Sequence, residues 1–201
     1  MSLPGGYFER MYASSHDPWG FETRWYEQRK RAVTMAALPN PRYANAFEPG
    51  CSIGTLTAEL APRCERLLAT DVSERALAPA RERLAGSAHV RFERRSVPGE
   101  WPADECFDLV VVSELGYYLD VADLDTLSVR VAGSLTVGGV ALLCHWRHPV
   151  VDYPMRGDDV HERVIAVAGL PVLVHHQEAD FVLDVVGRDG DSVARRTGVL
   201  P

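Results

Sequence analysis

The stretch Phe107–Ser113, FDLVVVS, is a short and almost continuously apolar run in the middle of the chain. A strand of this composition is typical of a sheet that is covered on both faces, which is how parallel sheets are built. Short apolar runs alternate with helical patterns through the rest of the sequence, and this alternation indicates βαβ units. The predicted strands are Ala44–Glu48, Arg66–Thr70, His89–Arg94, Phe107–Ser113, Val140–His145, Leu173–Gln177 and Phe181–Gly187.

Helical spacing fills the segments between these strands. The predicted helices are 21–38, 55–63, a segment capped by Ser73 and ended by Gly86, 123–135, and a segment from Asp158 or Asp159 to Gly169. The first helix would place one set of side chains near a common face, namely Phe21, Trp25, Ala32 and Ala36. Only Gln177–Asp180 separates the last two strands, which is too short for a parallel crossover, so we expect an antiparallel hairpin. The sequence thus predicts an α/β fold with a mostly parallel sheet.

The composition argues against several classes of protein. The chain has 201 residues, 46% of them hydrophobic, which is enough for the core of one domain. Its formal net charge of −7 argues against a nucleic-acid partner, because such proteins usually carry a basic excess. No apolar stretch approaches the roughly 18 residues that span a bilayer, and no signal-peptide pattern begins the chain.

Cysteine and lysine usage adds two observations. Four cysteines without a C-x-x-C pair fit a reduced chain, so we expect a cytoplasmic protein. We also expect a monomer or a homodimer, with no membrane partner. Lys30 is the only lysine beside twenty arginines, and we interpret this as a codon-composition bias. Adjacent strand residues point to opposite faces, so His175 and His176 cannot easily share an ion, and we expect no metal site.

The segment Glu48-Pro-Gly-Cys-Ser-Ile-Gly54 joins the first predicted strand to a helix, where α/β proteins hold nucleotides. A dinucleotide site requires G-x-G-x-x-G, but from Gly50 the chain reads Gly-Cys-Ser-Ile-Gly-Thr, which lacks the second and third glycines. The lysine of a phosphate-binding loop is also missing. The segment therefore disfavours nicotinamide cofactors and ATP.

Two acids remain as the chemical features of this region. Glu48 ends the first strand, where a carboxylate repels phosphate but suits a cation. Asp71 ends the second strand, where a carboxylate can accept both hydroxyls of a ribose. A cationic group and a ribose without phosphate are the features of S-adenosylmethionine.

From about Tyr43 to its end, the chain resembles the class I S-adenosylmethionine-dependent methyltransferases. Glu48–Gly54 is similar to their first motif, E/D-x-G-x-G-x-G, with Cys51–Ser52 around the middle glycine position. The resemblance implies a Rossmann-like fold, a seven-stranded sheet with helices on both faces, and S-adenosylhomocysteine as product. Ser96 stands where that family commonly has an acid near adenine, so we expect backbone contacts there. The implied cofactor-binding residues are Trp19, Tyr26, Arg29, Glu48, Gly50, Cys51, Gly54, Asp71, Val72, Ser96, Val97, Ser113 and Glu114.

A narrower resemblance rests on five segments of the chain. They are Tyr7–Tyr12, Asp17–Trp19, Trp25–Arg29, Glu48–Cys51 and Ser113–Leu119. Together they are similar to the nodulation protein S family, which N-methylates the free amine of a deacetylated chito-oligosaccharide. This resemblance implies a small-molecule acceptor with an amine, such as an amino sugar or an oligosaccharide. Two alternatives stay open: O-methylation of a natural-product hydroxyl, and a cofactor-binding partner subunit without catalysis.

Polar side chains follow the fourth and fifth strands, where open α/β sheets place their ligands. The candidates for a base or an acceptor anchor are Glu114, His145 and His148. The candidates for acceptor contacts are Tyr117, Tyr118, Trp146 and Arg147. The alternative is that these residues only cap the sheet.

The lead-in segment, residues 1–42, precedes the main domain at 43–201. Asp17 before a proline suits a helix start. In a methyltransferase this segment would form a helical lid over the cofactor, with Trp19, Tyr26 and Arg29 at the methionine or adenosine end. Plain packing of the same side chains against the domain is the alternative.

Overall fold

The computed structural model describes residues 1–200, and a seven-stranded sheet forms its centre. The strands are β1 (Ala46–Pro49), β2 (Leu67–Asp71), β3 (Val90–Arg94), β4 (Phe107–Ser113), β5 (Leu135–Trp146), β6 (Val172–Gln177) and β7 (Phe181–Gly187). Their spatial order is β3-β2-β1-β4-β5-β7-β6. Strand β7 runs antiparallel to β5 and β6, and the other neighbouring pairs are parallel. The predicted mostly parallel sheet with one antiparallel strand in a C-terminal hairpin is confirmed.

Seven helices surround the sheet in the described residues. They are α1 (Gly5–Ser14), α2 (Trp25–Ala37), α3 (Thr55–Leu60), α4 (Glu74–Arg83), α5 (Val121–Ser134), α6 (Gly157–Ala168) and α7 (Val193–Arg196). Short 3-10 turns add Ala61–Arg63 and Gly116–Tyr118. None of the helices within residues 1–200 combines the length and the apolar character that crossing a bilayer requires.

The side chains of β4 explain why its sequence is apolar throughout. Val110 and Val112 face the core layer beneath α5 and α6. Leu109 and Val111 face the opposite layer, which contains side chains of α3. Because successive side chains of a strand point to opposite faces, both faces of β4 are buried.

The helix predicted for 21–38 begins later than expected. The carboxylate of Asp17 accepts the backbone N–H groups of Phe21 and Glu22, each at 2.9 Å, and Gly20 has a φ of +74°. These contacts close a turn, so the regular helix starts at Trp25. Asp17 therefore caps this turn and not a helix.

The common face of Trp25, Ala32 and Ala36 on this helix is not the face that packs against the domain. Trp25 is 73% exposed, and Ala32 and Ala36 are also exposed. The buried residues of α2 are Glu27, Lys30 and Thr34. The helix turns polar groups inward because they find charged and polar partners on the sheet, as described below.

Ser73 precedes α4 as predicted, but its buried hydroxyl makes no hydrogen bond. The N–H groups at this helix start are bound by acids instead: Asp71 Oδ1 accepts from Ser73 N at 2.9 Å, and Glu9 Oε1 accepts from Glu74 N at 3.0 Å. Glu9 belongs to α1, a helix that was not predicted, so α1 is tied to α4 through this contact.

Candidate active site

A cavity of about 540 Å³ lies at the carboxyl ends of the central strands. The sheet contributes Glu48, Asp71 and Glu114, and the segment 1–42 closes the opposite side. Open α/β sheets bind their ligands at this edge. The sequence-predicted residues that line the cavity are Trp19, Tyr26, Glu48, Gly50, Cys51, Asp71, Val72, Ser96, Val97, Ser113, Glu114, Tyr117, Tyr118 and Trp146.

The loop after β1 has a left-handed residue where the family motif has its middle glycine. Ser52 has a φ of +53°, a conformation that side chains with a Cβ seldom adopt. Two hydrogen bonds hold it there: Tyr12 Oη lies 2.5 Å from Ser52 Oγ, and Ser52 N donates to Asp71 Oδ2 at 3.0 Å. The departure from glycine thus gives α1 a contact with the loop.

Gly54 does not line the cavity, which corrects its assignment to the cofactor. It is the left-handed residue before α3, with a φ of +76°. A Cβ there would lie 2.9 Å from the Cβ of Ala80 on α4. Gly54 is therefore required for close packing between the loop and α4.

Asp71 presents a buried carboxylate that the backbone holds in place. Ser73 N donates to Oδ1 at 2.9 Å and Ser52 N donates to Oδ2 at 3.0 Å. Burial raises the pKa of Asp71 to about 6, although these backbone hydrogen bonds act in the opposite direction. Each oxygen keeps further acceptor capacity, so the group can receive two hydroxyls from the cavity side.

Glu48 is the group whose surroundings most clearly require a ligand. Its side chain is buried, and its Oε2 atom has no hydrogen-bond partner. Burial, with a smaller contribution from Asp71, raises the pKa of Glu48 to about 8, although the nearby side chain of Thr57 acts in the opposite direction. A buried carboxylate oxygen without a partner is unfavourable, and a cationic donor in the cavity would satisfy it.

The backbone N–H of Ser96 is not free to recognise a base. It donates to Glu100 Oε2 at 2.5 Å. Any backbone contact with adenine therefore has to come from other groups beside Val72 and Val97, which also line this end of the cavity.

A buried ion cluster forms the other end of the cavity. Lys30 Nζ lies 2.6 Å from Glu114 Oε1 and 3.0 Å from Glu27 Oε2. Burial opposes the charge of Lys30, but the two carboxylates outweigh it and raise the pKa of the ammonium above its ordinary value. The ammonium also lies 5.0 Å from the ring centre of Tyr26.

Glu114 is held by three donors in an unusual backbone conformation. Besides Lys30, its carboxylate accepts the hydroxyl of Tyr117 and, at 3.2 Å, the N–H of Trp146. Its φ of +54° places it in the left-handed region directly after β4. A non-glycine residue in this region is costly and occurs preferentially at functional sites.

Aromatic rings surround the ion cluster. Tyr26 packs edge-on against Trp146 with ring centres 5.4 Å apart, and Tyr117 stacks on Tyr153 at 5.0 Å. From α1, Phe8 packs against Tyr118 at 4.8 Å. The predicted acceptor contacts Tyr117, Tyr118 and Trp146 all lie at this end, whereas Phe8 and Tyr153 were not predicted.

The two histidines proposed as a base lie outside the cavity. His145 is fully buried beneath it, where Nε2 accepts from Gly116 N at 3.0 Å and Nδ1 lies 2.9 Å from His161 Nε2. His148 is half exposed and contacts Asp180 at 2.8 Å. Because side chains alternate along β5, Trp146 reaches the cavity and His145 does not.

Two arginines assigned to ligands are engaged elsewhere. Arg29 is exposed and binds Glu178 through both terminal nitrogens, at 2.6 and 2.8 Å. Arg147 binds both oxygens of Asp158, at 2.8 and 3.0 Å. Neither side chain lines the cavity. Both arginines form surface ion pairs, so the structure does not support their assignment to ligands.

The functional residues that sequence reasoning missed come mainly from α1 and α2. They are Phe8, Tyr12, Glu27 and Lys30. Phe8, Tyr12 and Glu27 lie in segments that carried the narrower family resemblance, but no role followed from it. The signal for Lys30 was that it is a single lysine among twenty arginines, which a codon bias does not explain once its two carboxylate partners are seen.

The family model described as nodulation protein S matches residues 8–136, more than half of the chain. Nodulation protein S of Sinorhizobium fredii is 34% identical over 128 residues, covering 63% of this chain and 59% of that protein. The chain spans less than two thirds of the length of the curated relatives it matches.

Two solved structures extend the comparison. The N-methyltransferase NodS of Bradyrhizobium japonicum WM9, in complex with S-adenosyl-L-homocysteine, is 26% identical with a TM-score of 0.76, covering 90% of this chain and 96% of that one. A Pseudomonas syringae protein described as a candidate methyltransferase is 45% identical with a TM-score of 0.73, covering 82% of this chain and 100% of that one. With the match over residues 8–136, these findings establish that the chain belongs to the nodulation protein S family.

Proposed function

We propose that this chain is an S-adenosylmethionine-dependent methyltransferase that methylates the amine of a small acceptor, an amino sugar or a deacetylated oligosaccharide. The observation that carries the proposal is the unpartnered Glu48 Oε2 beside the oriented carboxylate of Asp71. Family membership and the S-adenosyl-L-homocysteine complex of a related N-methyltransferase support it.

The residues at the end of the cavity that contains Glu48 and Asp71 fit the cofactor. Glu48 would bind its cationic amino group, and Asp71 would bind its ribose hydroxyls. Val72 and Val97 would contact adenine, and Cys51 and Ser113 line the space between the two ends. When bound, the cofactor supplies a methyl carbon that its positive sulfur has already activated.

The charges of the ion cluster at the other end of the cavity favour a cationic or amine acceptor. Glu27 and Glu114 together exceed the single charge of Lys30, and Asp180 also lines the cavity. The two carboxylates of the cluster would repel a carboxylate or phosphate acceptor placed beside them, whereas Arg24 and Arg31 line the cavity as cations. The rings of Tyr26, Trp146 and their neighbours offer flat faces for an apolar sugar surface or an ammonium.

Glu114 is the one predicted base candidate that lines the cavity, and we propose an orienting role for it. A carboxylate has about four acceptor sites, and Lys30, Tyr117 and Trp146 use three of them. The fourth can accept an N–H of the neutral amine, which directs the nitrogen lone pair towards the methyl group. Such alignment is the main contribution a protein makes to an in-line transfer.

We also propose that segment 1–42 acts as a lid. A Cβ on Gly5 would lie 2.8 Å from Val72, so α1 packs directly on the proposed adenine end. Amide exchange of residues 5–14 and 25–37 should slow when S-adenosyl-L-homocysteine is added. Unchanged exchange in both helices would indicate plain packing.

A panel of acceptors tests the reaction. The protein would be incubated with S-adenosylmethionine and glucosamine, a deacetylated chito-oligosaccharide, its N-acetylated counterpart, a phenol or a tricarboxylate. The proposal expects a mass gain of one methyl group on the free amines only, and the N-acetylated sugar is the matched control. Methylation of the phenol or carboxylate instead would favour O-methylation, and cofactor binding with no methylated product would favour a non-catalytic subunit.

A further inference from the structure

A continuous line of hydrogen-bonded side chains runs from solvent to the backbone beside Glu114. We call His175, Asp184, His161 and His145 the histidine chain. His175 Nδ1 lies 2.7 Å from Asp184 Oδ1, Asp184 Oδ2 lies 2.6 Å from His161 Nδ1, and His161 Nε2 lies 2.9 Å from His145 Nδ1. At the inner end, Gly116 N donates to His145 Nε2 at 3.0 Å.

The backbone at the inner end fixes the protons of the two buried imidazole rings. Gly116 N–H is a donor, so His145 Nε2 carries a lone pair and its Nδ1 carries the proton. That proton is donated to His161 Nε2, which leaves His161 Nδ1 as the donor to Asp184. Both histidines are thus neutral Nδ1–H tautomers, and Asp184 is ionised.

Only the outer end of the chain is open to solvent. His145, His161 and Asp184 are buried, whereas the side chain of His175 is 57% exposed. The four residues come from β5, α6, β7 and β6, so four elements converge on one contact with Gly116. Buried polar groups that are fully satisfied in this way specify a unique arrangement.

The contact with His145 requires glycine at position 116. A Cβ there would lie 2.4 Å from Val160 Cγ1 and 3.1 Å from His145 Nε2. The residue sits between Glu114 and Tyr117, which bind each other and line the acceptor end of the cavity. The position of Gly116 therefore sets the positions of both groups.

We propose that His145 and His161 are positioning residues, which hold the segment 114–118 in its productive geometry only while both of their imidazole rings are neutral. This inference rests on the proposed function for its catalytic consequence. A proton added to His161 Nε2 removes the acceptor of His145, and a proton added to His145 Nε2 opposes Gly116 N–H. Either event releases the segment that carries Glu114 and Tyr117.

Groups of both charges face the histidine chain. Burial, His161 and Lys30 from α2 all disfavour a charge on His145, and the ring of Tyr117 packs against it at 5.4 Å. The carboxylates of Asp184 from β7 and Asp158 from α6 face His161. On β6, His175 shares Asp184 with His161 and is the contact with solvent.

Nitrogen NMR of the full chain labelled with ¹⁵N-histidine tests the arrangement without any assay. We expect neutral Nδ1–H tautomers for His145 and His161, the opposite of the form that free histidine prefers. An Nε2–H tautomer at His145 would overturn the proposal, whatever the enzyme's activity.

Two variants test the consequence for segment 114–118. His161→Gln can still accept from His145 and donate to Asp184, whereas His161→Phe can do neither. We expect amide exchange at Gly116 to accelerate about tenfold in His161→Phe and little in His161→Gln, because one hydrogen bond of the segment is lost. Exchange at Gly116 that is unchanged in a folded His161→Phe protein would contradict the proposal.

Activity provides the catalytic readout. With an accepted amine, kcat/KM for the acceptor should fall about tenfold in His161→Phe and recover in His161→Gln, because misplacement of acceptor-binding groups is costly. Affinity for S-adenosyl-L-homocysteine should stay unchanged, since Glu48 and Asp71 lie on other strands. His176→Gln is the control, because His176 does not belong to the histidine chain. If His161→Phe does not fold, His161→Gln is compared with His145→Leu, which removes the acceptor of Gly116 N–H. An equal fall in kcat/KM in these two variants would overturn the proposal.

Discussion

Lys30 Nζ lies 2.6 Å from Glu114 Oε1, which connects helix α2 to the end of strand β4 through a side chain that is only 5% exposed. Glu27 completes the cluster at 3.0 Å from the same nitrogen. The only lysine of the chain thus joins the N-terminal segment to the proposed acceptor site. A compact ammonium with three donors suits two converging carboxylates better than the planar fork of arginine.

Replacing Lys30 with methionine should strongly destabilise the protein. The change leaves two buried carboxylates without their counter-charge, and breaking a buried ion cluster in this way costs roughly 3–5 kcal/mol. Urea unfolding measures the loss, and the double variant Lys30→Met with Glu27→Gln should recover part of it. Arg29→Met, which removes an exposed pair with Glu178, is the neighbouring control and should have little effect. A Lys30→Met protein as stable as the Arg29→Met protein would contradict the account.

Cofactor binding should release a proton at neutral pH. Glu48 has a pKa of about 8 in the free protein, so it is mostly protonated at pH 7. A cationic amino group favours its ionised form and lowers that pKa, so about one proton leaves per site. Calorimetry with S-adenosyl-L-homocysteine in two buffers of different ionisation enthalpy counts the protons. Glu48→Gln should bind more weakly and release none; equal release by both proteins would exclude Glu48 as the source.

The contact between Tyr12 and Ser52 should be measurable as a coupling between α1 and the loop after β1. Tyr12→Phe removes one hydrogen bond and should cost about 1 kcal/mol in the unmodified chain. In a Ser52→Gly background the same change should cost almost nothing, because the partner is already absent. Ser52→Gly also relieves the left-handed backbone strain, which offsets part of its own loss. Equal costs of Tyr12→Phe in the two backgrounds, measured by urea unfolding, would show that the contact contributes nothing.

Stability should fall in mild acid because of His145. Burial lowers the pKa of His145 well below its ordinary value of 6.5, with His161 and Lys30 contributing, so the folded protein stays neutral there while the unfolded chain takes up a proton. The unfolded state binds more protons below pH 6.5, so the free energy of unfolding decreases by at most about 1.4 kcal/mol per pH unit from this group. Above pH 6.5 the contribution is constant.

The variant His145→Asn isolates the contribution of His145 to this pH dependence. Glu48 and Asp71, whose pKa values are raised to about 8 and about 6, act with the opposite sign, because their stabilising protons are lost as the pH rises. Both groups are present in both proteins, so their contributions cancel when the free energies of unfolding of the two proteins are subtracted. We expect the unmodified protein to lose stability more steeply than His145→Asn between pH 6.5 and 5. Parallel curves over this interval would mean that His145 is not held neutral.

The sheet and the cofactor half of the site were predictable because their signals are local. An apolar run such as β4 has to be buried on both faces, and an acid at the end of a strand, such as Glu48 or Asp71, is fixed in place by the topology. The prediction of the nodulation protein S family is confirmed by the match over residues 8–136.

The acceptor half was predictable only where its residues lie at or directly after the end of a strand, as Glu114 and Trp146 do. The rest was not predictable, because those residues acquire their positions only through tertiary contacts. Helix α2 buries Glu27 and Lys30 against Glu114, so its inward face is polar and periodicity of apolar residues indicates the wrong side. His145, His161 and Asp184 lie on three separate elements. No spacing in the sequence indicates that these three residues are in contact. His145 was therefore assigned to a ligand instead of to the backbone of Gly116.

Titration with S-adenosyl-L-homocysteine tests the central claim most directly, because every proposed role depends on a cofactor at Glu48 and Asp71. We predict one-to-one binding, weakened at least about tenfold by Asp71→Asn, since a hydrogen bond to a charged group contributes roughly 1.5–3 kcal/mol. Asp125→Asn, which alters a surface pair with Arg163, should bind as the unmodified protein does. The absence of binding at about 100 μM ligand, a concentration that reveals ordinary affinities, would contradict the account.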